Sequence, residues 1–176
     1  MAENDRTIEQ LEADLARSRA ETRSAFETRA YMYAYIYEEL VSVLGKDEAI
    51  AAMKRAIYRR GLEVGRKYQS AVASADLIEV GSIFCGGSPC AGSLFEPGIE
   101  TSSKGHIVLR MTSCPLVEAW QRMGLPAEEV DTLCEIAAAV DEGTFAGAGL
   151  ELEFSSRIGV AGTKQCLLDL TLPTDE

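Results

Sequence analysis

Apolar positions recur at helical spacing up to about Asp76, and beyond it alternating stretches are interleaved with two more at helical spacing, which predicts helices first and then strands and helices in turn. Residues 4 to 44 carry no Gly or Pro until Gly45 and read as one long helix. Ile8, Leu11 and Leu15 stand three and four apart on a charged background, a narrow stripe suited to a coiled-coil seam or a partner subunit. The later stretch "AYMYAYIYEELVSVLG" is apolar on nearly every side, which predicts burial on most faces, and Gly45 fits a C-cap. Its four tyrosines alternate in sequence, so on a helix they step by about 200° and cannot all line one pocket. Core packing with phenolic hydrogen bonds suits them better.

A second helix opens at Asp47 as N-cap, with Glu48 in its first turn, and runs to about Ala73. Ile50, Met53, Ile57, Val64 and Tyr68 mark its apolar positions. Gly61 and Gly65, four apart, leave a smooth patch where another backbone can approach closely. Beyond Asp76 the texture changes. "LIEVGSIFCGG" reads as a strand and "GGSPCAGSLFEPG" as a loop. "GHIVLRMT" alternates, with Ile107, Leu109 and Met111 on one face and His106, Val108, Arg110 and Thr112 on the other.

"CPLVEAWQRMG" reads as a short helix with Pro115 in its first turn, and "PAEEVDTLCEIAAAV" as another starting near Pro126. "LELEFSSRI" and "CLLDLTL" are two more alternating strands around the turn "GVAGTKQ". The order α-α-β-β-α-α-β-β predicts an α+β domain, its N-terminal helices packed on a mostly antiparallel sheet. Residues 1–29 form a helical arm in this reading and residues 30–172 the α+β domain.

Charge narrows the function. The 176 residues carry a net charge of −11, from 28 acids against 17 bases. Binding to nucleic acid draws its affinity from neutralised phosphates, so a chain this acidic argues against it, and against an anionic membrane surface for the same reason. A small anionic ligand stays open, because one arginine in a pocket outweighs the global field locally. No apolar run approaches the roughly 20 residues of a membrane span. The first residues, acidic and basic by turns, lack the apolar core of a secretory signal, which predicts a cytoplasmic location. Five cysteines, an odd number, then read as reduced thiols, metal ligands or a nucleophile rather than a disulfide framework.

Candidate chemistry gathers on a few side chains. Cys114 lies at a strand-to-helix junction, where the positive end of the helix dipole lowers a thiol's pKa. Cys134 and Asp141 stand seven apart, about two turns, on nearly the same helix face. Cys166 opens the last strand. Each cysteine also reads as a small buried hydrophobe. Cys85 and Cys90 form a C-x4-C pair in a glycine-rich loop, suited to a metal or an anion, but without the companion pair of a zinc ribbon. His106 is the only histidine, so chemistry needing two is excluded within one chain, while a Cys–His or Ser–His couple remains open. Arg110 shares its strand face and can clamp a carboxylate in two-pronged fashion.

Three stretches together resemble the L-2-amino-thiazoline-4-carboxylic acid hydrolase family. They are "ELVSVLGKDEAIAAMKRAIYRRGLEVGRK", "RMTSCPLVEAWQRMGL" with "LCEIAAAVDEGTF", and "GTKQCLLDL". The resemblance spans roughly residues 30 to 170 and rests on Cys114, Cys134 and Cys166, with Pro115 after the first and Asp141 after the second. It implies a hydrolase opening a small cyclic amidine at a C–N bond: water adds to C2 of a thiazoline ring and an N-carbamoyl cysteine type product results. On that footing Cys114 is nucleophile or metal ligand, Asp141 or His106 the acid/base, and Arg110 the carboxylate clamp. Cys114, Cys134 and Cys166 would together offer three thiolates to zinc or another divalent metal, with water in the fourth position. The partners implied are a small-molecule substrate and a second copy held through the N-terminal helix. A sensor domain that binds a small molecule without turning it over, or a scaffold subunit of a larger enzyme, fits the same pattern.

Overall fold

The structure, a computed structural model, describes residues 7–173. Helix α1 (Ile8–Leu44) starts at a capping box: the Thr7 hydroxyl accepts from the Gln10 amide, and the Gln10 side chain accepts from the Thr7 amide. It runs unbroken for 37 residues, about 55 Å at 1.5 Å per residue, and stops at Gly45, whose N–H returns to the Val41 carbonyl. Helix α2 (Lys46–Gly65) follows at once, so Asp47 lies inside its first turn and Gly45, not Asp47, is the N-cap. A tight turn over residues 66–68 and a short α3 (Gln69–Ala73) carry the helical path to the predicted end.

The next segment departs from expectation. "LIEVGSIFCG" is helix α4 (Leu77–Gly86), not a strand. Its β-branched residues favour a strand, but Asp76 caps it by accepting from the Glu79 amide, and Leu77, Val80 and Gly81 bury one helical face. Gly81 is required there: a Cβ would sit 2.7 Å from the Ile99 side chain and 3.0 Å from that of Ile107. The first strand instead comes later, as β1 (Pro97–Ser103), within and beyond the stretch read as a loop. A proline at its first residue is tolerated because β1 is an edge strand.

Strands β2 (His106–Met111), β3 (Glu151–Ser156) and β4 (Cys166–Thr171) complete an antiparallel sheet of order β1-β2-β4-β3. Between β2 and β3 run α5 (Pro115–Arg122) and α6 (Ala127–Ala148). Register pairs Leu109 with Leu168 and Met111 with Cys166, so the inner face is apolar as the alternation predicts. An α+β domain with helices packed on one antiparallel sheet is therefore the architecture.

Two apolar clusters hold it together. One joins α1, α2, α5 and α6 around Trp120, whose indole N–H donates to the Ala30 carbonyl at 2.8 Å. The other packs the inner sheet face against Leu77, Val80, Tyr68 and Phe145. Helices α2 and α6 cross in backbone contact, as the Gly61/Gly65 patch predicts. A Cβ on Gly61 would lie 2.7 Å from the Thr144 nitrogen, one on Gly65 2.7 Å from the Gly147 carbonyl carbon, and one on Gly143 would overlap the Tyr58 carbonyl. At the other end of the molecule the N-terminal third of α1 stands clear of the body, with Ile8, Leu11 and Leu15 exposed by 77%, 51% and 51%. No helix among the described residues is long and apolar enough to cross a membrane.

Candidate functional site

A cavity of about 710 Å³ opens between the helical cluster and the inner sheet face. Cys114, Cys134, Cys166 and Asp141 all line it. The chain path explains the convergence. Cys114 sits where β2 has ended and α5 begins, in extended backbone that turns the chain back over the sheet. Cys166 begins β4 beside Met111 of β2. Cys134 and Asp141 project from one face of α6, two turns apart. The segment after β3 closes the group: the Ile158 amide donates to Cys166 Sγ at 3.3 Å, and a Cβ on Gly159 would sit 2.6 Å from Cys134 Sγ.

The thiols are not activated. The sequence placed Cys114 at a helix N-terminus and predicted a lowered pKa. Burial instead pushes it up to about 12, with the Cys134 and Cys166 sulfurs adding to the rise. Hydrogen bonding from the Val117 and Leu116 amides acts in the expected direction but is outweighed. Cys166 is raised to about 11, and Cys134 is raised too, burial leading in both. At neutral pH all three are thiols rather than thiolates. All five cysteines are free, and among the described residues no group of three or more His, Cys, Asp or Glu is arranged to hold a metal ion. The three sulfurs share a wall without forming a tetrahedral zinc site.

Among the described residues Asp141 is the one carboxyl on the cavity lining. It makes no hydrogen bond or ion pair with the described residues, and its remaining surface faces the cavity. Desolvation by the surrounding protein, with the Glu142 charge secondary, raises its pKa from 3.8 to about 7. Tyr68 nearby is raised to about 12 by burial and then by the Asp141 charge.

Cations missed by the sequence reading line the same cavity. Arg29 of α1 and Lys67 of the turn after α2 are exposed at its rim. Each lies over an aromatic ring, Arg29 4.4 Å from the Phe26 centroid and Lys67 4.9 Å from that of Tyr68, and neither has an acid partner among the described residues. Arg60 pairs with Glu63 at 2.8 Å and Arg157 with Asp131 at 3.0 Å. Nothing local in the sequence marks Arg29 or Lys67, because tertiary packing alone brings α1 over the turn after α2. Of the alternating tyrosines, Tyr33 reaches the cavity, Tyr37 is buried in the core and Tyr35 faces solvent.

His106 and Arg110 share a strand face as predicted, but it is the outer one, and neither lines the cavity. His106 Nε2 lies 2.9 Å from Asp169 Oδ1, and the Ser155 hydroxyl donates to the other oxygen of that carboxylate. Arg110 Nη1 is 3.4 Å from Glu100 Oε2. Cys85 and Cys90 lie at the end of α4 and in the turn after it, where Cys90 has a left-handed φ of 56°. The cavity wall takes Gly87, Ser88 and Pro89 from that loop, not the cysteines.

Comparison with known proteins adds three findings. Over residues 23–169 the chain matches the family model described as L-2-amino-thiazoline-4-carboxylic acid hydrolase. No curated protein matches it by sequence. Among solved structures, a trafficking protein particle complex subunit 3 from Naegleria fowleri, covalently bound to palmitic acid, is similar. Its TM-score is 0.52 and its identity 13%, over 84% of this chain and 96% of that one. The phenol-responsive sensory domain of the transcription activator PoxR, with phenol, gives a TM-score of 0.48 and 14% identity, over 81% of this chain and 73% of that one. At 13% identity the likeness to the first of these is one of fold alone.

Proposed function

Since the chain belongs to the L-2-amino-thiazoline-4-carboxylic acid hydrolase family, we propose that its cavity hydrolyses a small cyclic amidine bearing a carboxylate, of the 2-aminothiazoline-4-carboxylate type. The observation that carries this reading is Asp141, an unpaired carboxyl facing a largely apolar cavity with its pKa raised to about 7. A group poised near working pH exists in both forms in comparable amounts, which suits one residue to act first as base and then as acid.

Atom balance fixes the bond that breaks. Water adds to C2, and the product keeps both nitrogens as an N-carbamoyl cysteine. The ring bond lost is therefore C2–S rather than the C–N bond the resemblance first suggested. Asp141 as carboxylate takes a proton from the attacking water and, as carboxylic acid, returns it to the departing sulfur. Attack by Cys114 would first need a base to remove its proton, since burial keeps that thiol neutral. Direct activation of water by Asp141 is the shorter route, and Cys114 then serves as a neutral wall of the reaction space. Arg29 and Lys67, cations without acid partners at the rim, hold the substrate carboxylate. Arg110 and His106 have no part in this scheme.

Turnover of 2-aminothiazoline-4-carboxylate, followed by the appearance of free thiol, tests the assignment. Asp141→Asn lowers the rate by about 10²- to 10⁴-fold, the usual contribution of a positioned acid or base. Cys114→Ala stays within about tenfold of the parent. An Asp141→Asn protein at full rate ends the proposal, and a Cys114→Ala loss as large as that of Asp141→Asn restores the thiol as nucleophile. The neutral thiols and apolar lining favour one second reading, a binding domain without turnover. Failure of the unaltered protein to open any cyclic amidine selects it.

A further inference from the structure

We infer that the molecule this cavity takes is an aryl-substituted heterocyclic carboxylate, larger than a bare aminothiazoline carboxylate, its aromatic group packing among Phe84, Phe95 and Phe154. The inference rests on the same cavity being the reaction site, and it is carried by different observations from those that assign the reaction.

The first is size. Cavities of a few hundred cubic ångströms or more enclose drug-sized molecules, and about 710 Å³ leaves a single five-membered ring with one carboxylate surrounded by unfilled space. The second is the wall. Phe84 from α4, Phe95 from the segment before β1 and Phe154 from β3 reach the cavity from three separate parts of the chain. All three are only half-buried by the protein itself.

Two of the rings, Phe84 and Phe95, are also held in place. Phe84 lies 6.0 Å from the fully buried Phe145, and Phe95 packs edge-on against Phe26 at 5.3 Å and 76°. Rings braced on one side and half-exposed on the other offer apolar surface to the cavity, which rewards a planar apolar group by contact and by burial. The third observation is the placement of charge. Arg29 and Lys67 stand exposed at the rim close to the rings: Arg29 lies over Phe26, which packs on Phe95, and Lys67 lies over Tyr68, which packs with Phe84 on Phe145. The ligand thus carries an anionic group close to its apolar one.

Calorimetric titration of the Asp141→Asn protein, which reads binding apart from turnover, provides the test. The ligands are 2-aminothiazoline-4-carboxylate, the same compound with a phenyl group on C5, and the primary carboxamide of that phenyl compound. The phenyl acid binds about ten- to a hundredfold tighter than the bare acid, the range expected for burying one aromatic side chain. It also binds several-fold tighter than its carboxamide. Phe84→Ala and Phe154→Ala narrow the gap between the phenyl and bare acids and leave the bare acid's affinity in place, which also shows that the variants are folded. Equal or weaker binding of the phenyl acid overturns the inference, and equal binding of acid and carboxamide overturns its anionic group. If the unaltered protein turns over neither acid while the phenyl preference holds, the reaction assignment fails and the ligand class stands. If it opens the bare ring and shows no phenyl preference, the reaction stands and this inference falls.

Discussion

The two faces of the sheet treat titratable side chains in opposite ways. On the outer face, His106 and Asp169 meet at 2.9 Å with side chains 38% and 29% exposed, and Arg110 lies 3.4 Å from Glu100. Both pairs are shared with solvent, an arrangement that contributes little to stability. On the inner side Asp141 has no partner among the described residues, and burial, with the Glu142 charge secondary, moves it to about 7, while two thiols lining the same cavity rise to about 11 and about 12. What marks a group as chemically available is desolvation without compensation, not residue type. A lone histidine draws the eye in a sequence, yet here it is an aspartate of α6 that lines the cavity.

The strongest way to break this contrast is through pH. In the folded chain Asp141 keeps its proton to about pH 7, against an ordinary value of 3.8 that it regains on unfolding. Between those values the folded state binds more protons than the unfolded one, so stability falls as pH rises from about 4 to about 7 and is flat above. The separation amounts to on the order of 4 kcal/mol. Asp141→Asn removes that loss, so the variant has a higher denaturant midpoint than the parent at pH 8, and the advantage shrinks towards pH 5. A substitution that abolishes turnover while raising stability is the mark of a strained functional group. Parallel stability curves for the two proteins from pH 5 to 8 would show that Asp141 is no more desolvated than the outer-face acids.

The next effect concerns what holds Asp141 in place. Val140 and Gly143 flank it at the α2–α6 crossing, where a Cβ on Gly143 would overlap the Tyr58 carbonyl and lie 2.9 Å from its carbon. Backbone cannot swing aside as a side chain can, so Gly143→Ala costs about 3 kcal/mol, the upper part of the usual range for overpacking. That lowers the melting temperature by roughly 6–12 °C. Gly86→Ala, with nothing within 4 Å of its Cβ, serves as the control and stays within about 0.5 kcal/mol. Similar melting temperatures for the two variants would mean that the helices separate easily and that the inner side is no more rigid than the outer.

How far the sequence reveals this division depends on the range of the interaction involved. The Gly61/Gly65 patch is legible because small residues four apart on a helix have few other uses, and the structure puts a second backbone on it. The Cys134–Asp141 face is legible because helical geometry fixes it. The amides of the first turn after Cys114 act in the predicted direction, but their effect is outweighed by desolvation, which depends on residues far away in sequence. Segment 77–86 misleads because its β-branched residues favour a strand locally, while its helical burial against Ile99 and Ile107 is set by tertiary contact. Strand β1 escapes notice because "PGIETSS" lacks alternation, which a half-exposed edge strand does not need. Which face of β2 meets the cavity cannot be read from alternation at all, since alternation says only that there are two.

The smallest effect is expected where the sequence placed its most conspicuous candidates. His106→Ala removes one side of a half-exposed pair, and Asp169 keeps the Ser155 hydroxyl as a donor, so no buried charge is left alone. The stability change is below about 1 kcal/mol. Arg110→Gln gives up a contact at 3.4 Å and also removes a buried Nε that has no hydrogen-bond partner, two changes that oppose each other. Turnover in both variants stays within about twofold of the parent, since neither side chain lines the cavity. A tenfold fall in either would mean that the outer face takes part in the reaction, and the distinction between the two sides of the sheet would have to be redrawn around the residue responsible.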